Sequence, residues 1–281
     1  MRIVSLLPGA TESLFALGLG HLVVAVTHEC DHPPAARSLP RVTRSRLELE
    51  GLDGGAIETR VAAAAAAGEE LYTVDVEAIR RLRPDLVVAQ DVCEVCAVPA
   101  DQVERGLAGI PVLRQHPHSL EDVLAGMEEL AAAAGGDARH VVPALRARVA
   151  AVAERAARLP RIRGVFLEWL DPPYPAGHWT PGMLELAGVQ DPLARPAAPS
   201  VPVSWDAVAA AAPELLFVAP CGFSAERAQR EAERLAAELA SVGARRVAIF
   251  DGSAYFNRAG PRLVDSLELL AGEVQAYRCL V

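Results

Sequence analysis

The sequence predicts an α/β protein of two lobes, each built on a parallel sheet, with a helical connector between them. Short apolar runs alternate with helical segments in both halves, which is the pattern of parallel sheets flanked by helices. Residues 119–159 contain no strand pattern and therefore separate the halves. Both halves also share one succession of features: a helix, a proline, an acidic residue, a strand and a loop with a cysteine. It occurs at residues 78–93 and again at residues 207–221.

Residues 1–117 are predicted to form the N-terminal α/β lobe. Its strands are expected at residues 2–6, 22–27, 85–90 and 111–115, and its helices at 11–17, 61–67, 76–82 and 100–107. Pro84 ends the third of these helices, because the residue before a proline is disfavoured in the helical conformation. Residues 28–60 are predicted to be loop-rich, with prolines at 33 and 34.

Residues 118–160 are predicted to form a helical bridge. Ser119 and Asp122 have the spacing of a helix start, with a cap residue and an acid three positions on. Helices are expected over 120–134 and 141–159, and Gly135 and Gly136 interrupt them. A helical connection is stiffer than a Gly/Ser-rich linker, so the two lobes should be held in a defined orientation.

Residues 161–281 are predicted to form the C-terminal α/β lobe. The pattern gives strands at residues 164–170, 214–219 and 246–251, and helices at 181–187, 206–211, 225–239 and 261–271. Thr180 and Pro181 are typical of a helix start, as a cap followed by proline at the first helical position.

Composition excludes several classes of protein. A net charge of −9 and a pI of about 5.3 argue against a nucleic-acid partner bound through its phosphates. No run approaches the roughly 18 apolar residues needed to span a bilayer, so no membrane insertion is expected. The N-terminus lacks the signal-peptide pattern. It predicts a cytoplasmic protein, or a periplasmic or cell-surface one if a leader has been removed.

The predicted strand ends define a cleft. Ligands of parallel α/β sheets bind beyond the carboxyl ends of the strands, and the loops there contain most of the aromatic residues in a chain that is only 5% aromatic. Such rings suit a large, partly apolar ligand, or else they pack the lobes together. The predicted ligand-binding residues are His28, Asp91, Trp169, Tyr174, His178, Trp179, Phe223, Tyr255, Phe256, Asn257 and Arg258.

The cysteines allow a second interpretation. Cys93 and Cys96 form a C-x-x-C pair, which is compatible with a redox pair, half of a zinc site, or two buried thiols. If the lobes face each other, Cys30 and Cys221 join that pair. Four thiolates suit zinc or an iron–sulfur cluster, and separate buried thiols are the alternative.

An enzymatic function has little support in the sequence. The G-x-S-x-G elbow, the P-loop and the G-x-G-x-x-G turn are all absent from it. Glu168, Asp171 and Asp251 are candidate acid/base groups, but they are not paired at a known spacing. A non-catalytic binding protein is therefore predicted.

Several motifs resemble the periplasmic cobalamin- and iron-siderophore-binding proteins of ABC transporters (class III, helical-backbone type), and they are most similar to the cobalamin-binding branch. Segments 8–12 (PGATE), 31–34 (DHPP) and 82–87 (LRPDLV) resemble the first lobe of that family. The second lobe resembles it at 171–174 (DPPY), with Gly177, and at 255–262 (YFNRAGPR). The resemblance covers nearly the whole chain.

That resemblance implies two Rossmann-like lobes with parallel sheets joined by a long helical bridge, with the ligand between them and little hinge motion. It places Tyr174, Tyr255 and Phe256 in a corrinoid cleft, where His28 and His178 are candidate cobalt ligands. The predicted function is binding of a cobalamin-like corrinoid for carriage, uptake or sensing. The alternative is a metal- or iron–sulfur-containing protein or enzyme that uses the four thiols on the same scaffold.

The resemblance also implies an ABC permease as a candidate partner. Exported members dock through an exposed glutamate on each lobe. The first-lobe counterpart falls near Ala100 or Asp101, and Glu226 is the candidate in the second lobe. Neither position matches the family pattern clearly.

Overall fold

The first lobe is built on a parallel sheet, as predicted. The computed structural model describes residues 1–91 and 100–280. Its first strands are β1 (Ile3–Ser5), β2 (Val23–Val26), β3 (Thr43–Ser45), β4 (Tyr72–Val74), β5 (Leu86–Gln90) and β6 (Val112–Gln115). The order β2-β1-β5-β6 is parallel throughout. The sheet is buried on both faces, because Ile3 and Val4 of β1 point into different core clusters.

The helices of this lobe differ from the prediction at two places. They are α1 (Pro8–Ala16), α2 (Gly54–Ala66), α3 (Val76–Leu82) and α4 (Ala100–Gly106). The first begins earlier than predicted, since proline suits an initial helical turn. Residues 28–60 were expected to be loop, but they contain β3 and the start of α2, where Asp53 accepts a hydrogen bond from the Ala56 N–H at 2.8 Å. An antiparallel pair, β3–β4, lies outside the main sheet.

The bridge consists of α5 (Leu120–Ala133) and α6 (Val142–Ala156), which confirms the predicted helices and the break between them. Ser119 and Asp122 form the expected capping box. Leu124 and Met127 of α5 belong to the main core cluster of the second lobe, whereas Leu130 belongs to a cluster of the first lobe. The bridge therefore packs against both lobes. The domain boundaries at 117/118 and 160/161 stay predictions.

The second lobe has a mixed sheet. Its strands are β7 (Ile162–Leu170), β8 (Pro173–Pro175), β9 (Val189–Gln190), β10 (Leu215–Val218) and β11 (Arg246–Ile249), and its helices are α7 (Thr180–Leu186), α8 (Trp205–Ala210), α9 (Ala225–Arg234), α10 (Ala236–Ser241), α11 (Gly252–Tyr255) and α12 (Arg262–Arg278). The order is β11-β10-β7-β8, with β9 beside β7. Only β8 is antiparallel among these pairs of the described chain.

Three helix predictions need correction here. The helix expected over 225–239 is two helices that meet at Leu235. The last helix extends to Arg278 rather than ending at 271, since its apolar face continues to Val274 and Tyr277 in the core. Trp179, not Thr180, is the N-cap of α7. Within the two described segments, no helix combines the length and apolarity needed to cross a bilayer.

The lobes meet in a tight, charged junction beside α1. A Cβ on Gly9 would lie 2.2 Å from the Ala259 carbonyl oxygen, so the two backbones are already in contact. The Glu12 side chain is only 2% exposed and accepts a hydrogen bond from the Arg262 Nε at 2.8 Å. Arg258 pairs with Glu12 and with Asp31 across the same junction. These contacts fix the distance between the lobes on this side.

Candidate functional site

A cavity with a volume of about 1280 Å³ lies between the lobes. Its lining comes from both halves of the chain, with Pro8, His28 and Gln90 on one side and Trp169, Cys221 and Asn257 on the other. Many of the lining residues lie at or just beyond the carboxyl ends of strands of the two sheets, where ligands of parallel sheets bind. The cleft predicted from the sequence is therefore present.

Aromatic rings form the wall of the cavity on the second lobe. Trp169 packs edge-on against Phe223, with ring centroids 5.1 Å apart. Its indole N–H donates to the Asp171 carbonyl at 3.1 Å, and that of Trp179 donates to the Phe256 carbonyl at 2.9 Å. Because both indole donors are already used within the protein, these rings are fixed and offer apolar faces to a ligand.

A further part of the lining is formed by α2 and the segment before it, which the sequence analysis did not place in the site. Their cavity-lining side chains are mainly apolar: Leu47, Leu49, Ile57, Val61, Ala62 and Ala65. The signal was present, since Ile57 and Val61 are spaced i and i+4 and so share one helix face. The pair of glycines at 54 and 55 hid the start of this helix.

This helix belongs to the first lobe in sequence but packs against the second. The Gly54 N–H donates to the Glu231 Oε1 at 3.0 Å, and the Tyr174 hydroxyl donates to the Glu58 Oε1 at 2.7 Å. Ile57 shares a small core cluster with Phe223 and Ala228 of the second lobe. One side of the cavity is therefore closed by a helix that joins the lobes.

Most of the residues predicted to bind a ligand line the cavity. They are His28, Trp169, Tyr174, His178, Trp179, Phe223, Phe256, Asn257 and Arg258. Asp91 and Tyr255 lie outside the lining. Asp91 pairs with Arg114 at 2.8 Å, and Tyr255 packs against the core of the second lobe. Contact of any of these side chains with a ligand stays a prediction.

The two cavity histidines are in different states. The His28 Nδ1 lies 2.7 Å from the Thr43 hydroxyl, and its Nε2 lies 3.5 Å from the Glu29 Oε1. The His178 Nδ1 is buried and has no hydrogen-bond partner among the described residues. His178 also has a left-handed backbone, with φ of 52°, which non-glycine residues rarely adopt and which often marks functional sites. Burial lowers the pKa of both imidazoles, so both favour the neutral, ligating form.

Asn257 and Arg258 organise the loop that closes the cavity near the junction of the lobes. The Asn257 Oδ1 accepts a hydrogen bond from the Gly222 N–H at 3.0 Å. Burial opposes ionisation of Asp31, but the hydrogen bond from Arg258 together with the charges of Arg258 and Arg262 outweighs it and lowers the pKa of the carboxyl group. The Arg258 charge is therefore balanced within the protein rather than left for a ligand.

The thiols do not form the predicted metal centre in the described part of the chain. Cys30 is buried between the Thr11 and Thr27 hydroxyls, each 3.2 Å from its sulfur, and burial raises the pKa of this thiol. Cys221 lines the cavity, whereas Cys30 does not. Cys93 and Cys96 lie outside the described residues. Among the residues described, no group of three or more His, Cys, Asp or Glu side chains is arranged to hold a metal ion.

Two of the three candidate acid/base groups have structural roles instead. Asp171 pairs with Arg234 at 2.7 Å, and Asp251 caps α11 by accepting from the Ala254 N–H at 2.7 Å. Glu168 is the only one of the three that lines the cavity. Burial is the main reason that its pKa is raised, to about 7.

Comparison with known proteins gives consistent matches along the chain. Residues 3–251 match the Periplasmic binding protein family. The Vitamin B12-binding protein of Vibrio cholerae serotype O1 is 26% identical over 280 residues, covering 95% of this chain and 86% of the relative. The Vitamin B12-binding protein of Vibrio vulnificus is 26% identical over 232 residues, covering 78% of this chain and 71% of the relative.

Solved structures share the fold. The periplasmic vitamin B12 binding protein BtuF of Vibrio cholerae has a TM-score of 0.72 at 23% identity, covering 99% of this chain and 97% of that one. The periplasmic heme-binding protein RhuT from Roseiflexus sp. RS-1 has a TM-score of 0.70 at 24% identity, with 96% of each chain covered. The two-lobed α/β fold and the resemblance stated from the motifs are thereby confirmed. The chain belongs to the periplasmic binding protein family, whose members bind solutes without catalysis, and the prediction of a non-catalytic protein is confirmed as well.

Proposed function

We propose that this member of the periplasmic binding protein family binds a cobalamin-like corrinoid between its lobes and releases it unchanged. The observation that carries the proposal is the interlobe cavity of about 1280 Å³. It exceeds the roughly 300–1,000 Å³ that is usual for small-molecule sites. A ligand that fills it must be considerably larger than most metabolites, and a corrinoid is of that class.

The shape and polarity of the lining support the same ligand. A corrin ring has two broad, largely apolar faces and a rim of amide groups. The fixed rings of Trp169 and Phe223 and the aliphatic side chains of α2, which pack beside them, give the cavity a continuous apolar surface. Ligand surface laid against it is removed from water on binding, which is the main source of affinity.

The charge of the lining favours a corrinoid over haem, the ligand in the name of several structural neighbours. Five carboxylates line the cavity, from Glu29, Glu48, Glu50, Glu58 and Glu168, against two guanidinium groups. Of those two, Arg258 is paired with acids of the first lobe, and Arg227 lies over the Phe223 ring at 3.8 Å. Haem carries two carboxylates, which this lining would repel, whereas the amide rim of a corrinoid is neutral.

Titration with hydroxocobalamin, followed by calorimetry and by absorbance, tests this function. We expect saturable one-to-one binding, with haemin much weaker in a parallel titration. Replacing Trp169 with alanine should weaken binding on the order of tenfold or more, because a fixed aromatic contact is lost. Trp205→Phe is the matched control, since the third tryptophan lies outside the lining. Absence of heat and of a spectral change at micromolar hydroxocobalamin would reject the proposal.

His178 is the side chain that we propose as a cobalt ligand. It lines the cavity, and because its Nδ1 is buried within the protein, cobalt would be bound through Nε2. His28 instead has the Thr43 hydroxyl 2.7 Å from its Nδ1 and the Glu29 Oε1 3.5 Å from its Nε2. Neutral imidazole is a common ligand of transition metals. His178→Ala should shift the absorption spectrum of the bound corrinoid, and His28→Ala should not. An identical spectrum in wild type and both variants would rule out ligation by either histidine.

We also propose an ABC permease as the partner, on the strength of the family and of the relatives' names. Asp101 and Glu226 are exposed, at 71% and 83% of their side-chain surface. Each is paired with an arginine of this chain, Arg114 and Arg230 respectively. Docking through either acid therefore requires exchange of that partner. The cytoplasmic location stays a prediction.

A further inference from the structure

Glu168 occupies an irregular position in the sheet of the second lobe. Leu167 pairs with Pro175 and Trp169 with Tyr174, so Glu168 is one extra residue in β7 opposite β8. In a regular strand, every second residue faces the same side, so Trp169 would follow Val165 and Leu167 into the core. Because of the extra residue, Leu170 takes that place and shares a core cluster with Val165 and Leu167. Such bulges redirect side chains and are frequent beside functional sites. Here the bulge places a carboxylate among the residues that line the cavity.

The carboxylate has fewer partners than its charge requires. Its Oε2 accepts the Gly177 N–H at 3.1 Å, and the Ser200 hydroxyl lies beside it. No arginine or histidine of the described residues forms an ion pair with Glu168. Burial disfavours its charged form, which is why its pKa is raised to about 7. A buried charge without a counter-charge is costly unless donors satisfy it, and the cavity is the side from which a further donor can come.

The position of the group limits what that donor can be. Glu168 lines the same cavity as the fixed rings of Trp169 and Trp179. A ligand N–H meeting the carboxylate there forms a charge-assisted hydrogen bond, which is stronger than a neutral one. A ligand carboxylate in the same place faces a like charge at low local dielectric. The two kinds of ligand group are thus separated by a large difference in free energy.

We propose that Glu168 is a specificity-determining residue that accepts a hydrogen bond from a side-chain amide of the ligand and rejects ligands with a carboxylate at that position. The inference rests on the proposed corrinoid function. It predicts selection for fully amidated corrinoids against those that still carry, or have regained, carboxylic acids at their rim.

Cyanocobalamin and its three monocarboxylic acids, each with one side-chain amide hydrolysed, are the probes. At pH 8.5, wild type should bind at least one of these acids about tenfold or more weakly than cyanocobalamin. Glu168→Gln should remove most of that ratio for the same acid, because its amide can face a carboxylate without repulsion. Glu185→Gln is the control, since it makes the same charge change at an exposed position of α7 outside the lining, and it should keep the wild-type ratio.

The outcomes separate the two proposals. If wild type binds cyanocobalamin but discriminates against none of the acids, or if Glu168→Gln keeps the same ratios, the role of Glu168 is refuted while corrinoid binding stands. If wild type does not bind cyanocobalamin, both are refuted. Glu168→Met, which is close in volume and uncharged, gives the same comparison should the glutamine variant not fold, and far-ultraviolet circular dichroism verifies the fold of each variant.

Discussion

Replacing Gly9 with alanine should force the two lobes apart. The new Cβ would lie 2.2 Å from the Ala259 carbonyl oxygen and 2.5 Å from its carbon, against ordinary contacts of 3.4–4 Å. Relief therefore requires a movement of about 1 Å between backbones that are both held in helices or tight loops. Overpacking of this kind costs about 1–3 kcal/mol. For a chain of this size, that corresponds to a fall in Tm of about 2–5 °C.

Gly182→Ala is the matched control for this substitution. Gly182 lies in α7 with nothing within 4 Å of an added Cβ, so alanine should stabilise the helix by about 0.5–1 kcal/mol. The free energy of unfolding in urea measures both variants. Gly9 and Ala259 also line the cavity, so Gly9→Ala should weaken hydroxocobalamin binding as well. A Gly9→Ala protein as stable as wild type would refute the tight junction between the lobes.

Two further substitutions test buried charge. Glu12→Gln removes a nearly inaccessible carboxylate and should lower the free energy of unfolding by about 3 kcal/mol. Glu226→Gln, at an exposed position, is the control and should lower it by less than about 0.5 kcal/mol. Equal losses of the two variants in urea titrations would contradict the buried ion pairs at the junction of the lobes. Burial raises the pKa of Asp191 to about 6 from an ordinary 3.8, so the folded state binds this proton more tightly than the unfolded state. The free energy of unfolding should therefore fall as the pH rises from about 3.8 to about 6. Relative to Asp191→Asn, wild type should lose about 3 kcal/mol between pH 3.5 and pH 7, and a constant difference across this range would show that the carboxyl group is not perturbed.

The sequence predicted the elements whose signals are local. The strand β5 is a continuous apolar run, and the capping box of Ser119 and Asp122 marks the start of α5 from four residues alone. The β3–β4 pair was missed because Thr43 and Val74 pair across a long separation in sequence. No periodicity within either short strand specifies such a partner.

The site was predictable to the level of loops but not of side-chain direction. Position after a strand placed Tyr255 in the cleft, and it does lie in the correct loop. A single helical turn, α11, then directs it into the core, where it packs against the main cluster of the second lobe. Asp91 likewise pairs with Arg114 on the neighbouring strand, a contact that its position in the sequence does not show. Neither rotation nor partner choice is encoded by spacing along the chain.

The helix α2 should couple the folding of the two lobes. It is encoded in the N-terminal half, yet its apolar residue Ile57 is buried by Phe223 and Ala228 of the C-terminal half. An isolated N-terminal fragment would expose that face to water, and an isolated C-terminal fragment would expose the surface that receives it. Exchange of whole lobes between relatives would therefore have to transfer this helix together with the C-terminal residues that cover it, and unfolding should occur as one cooperative transition.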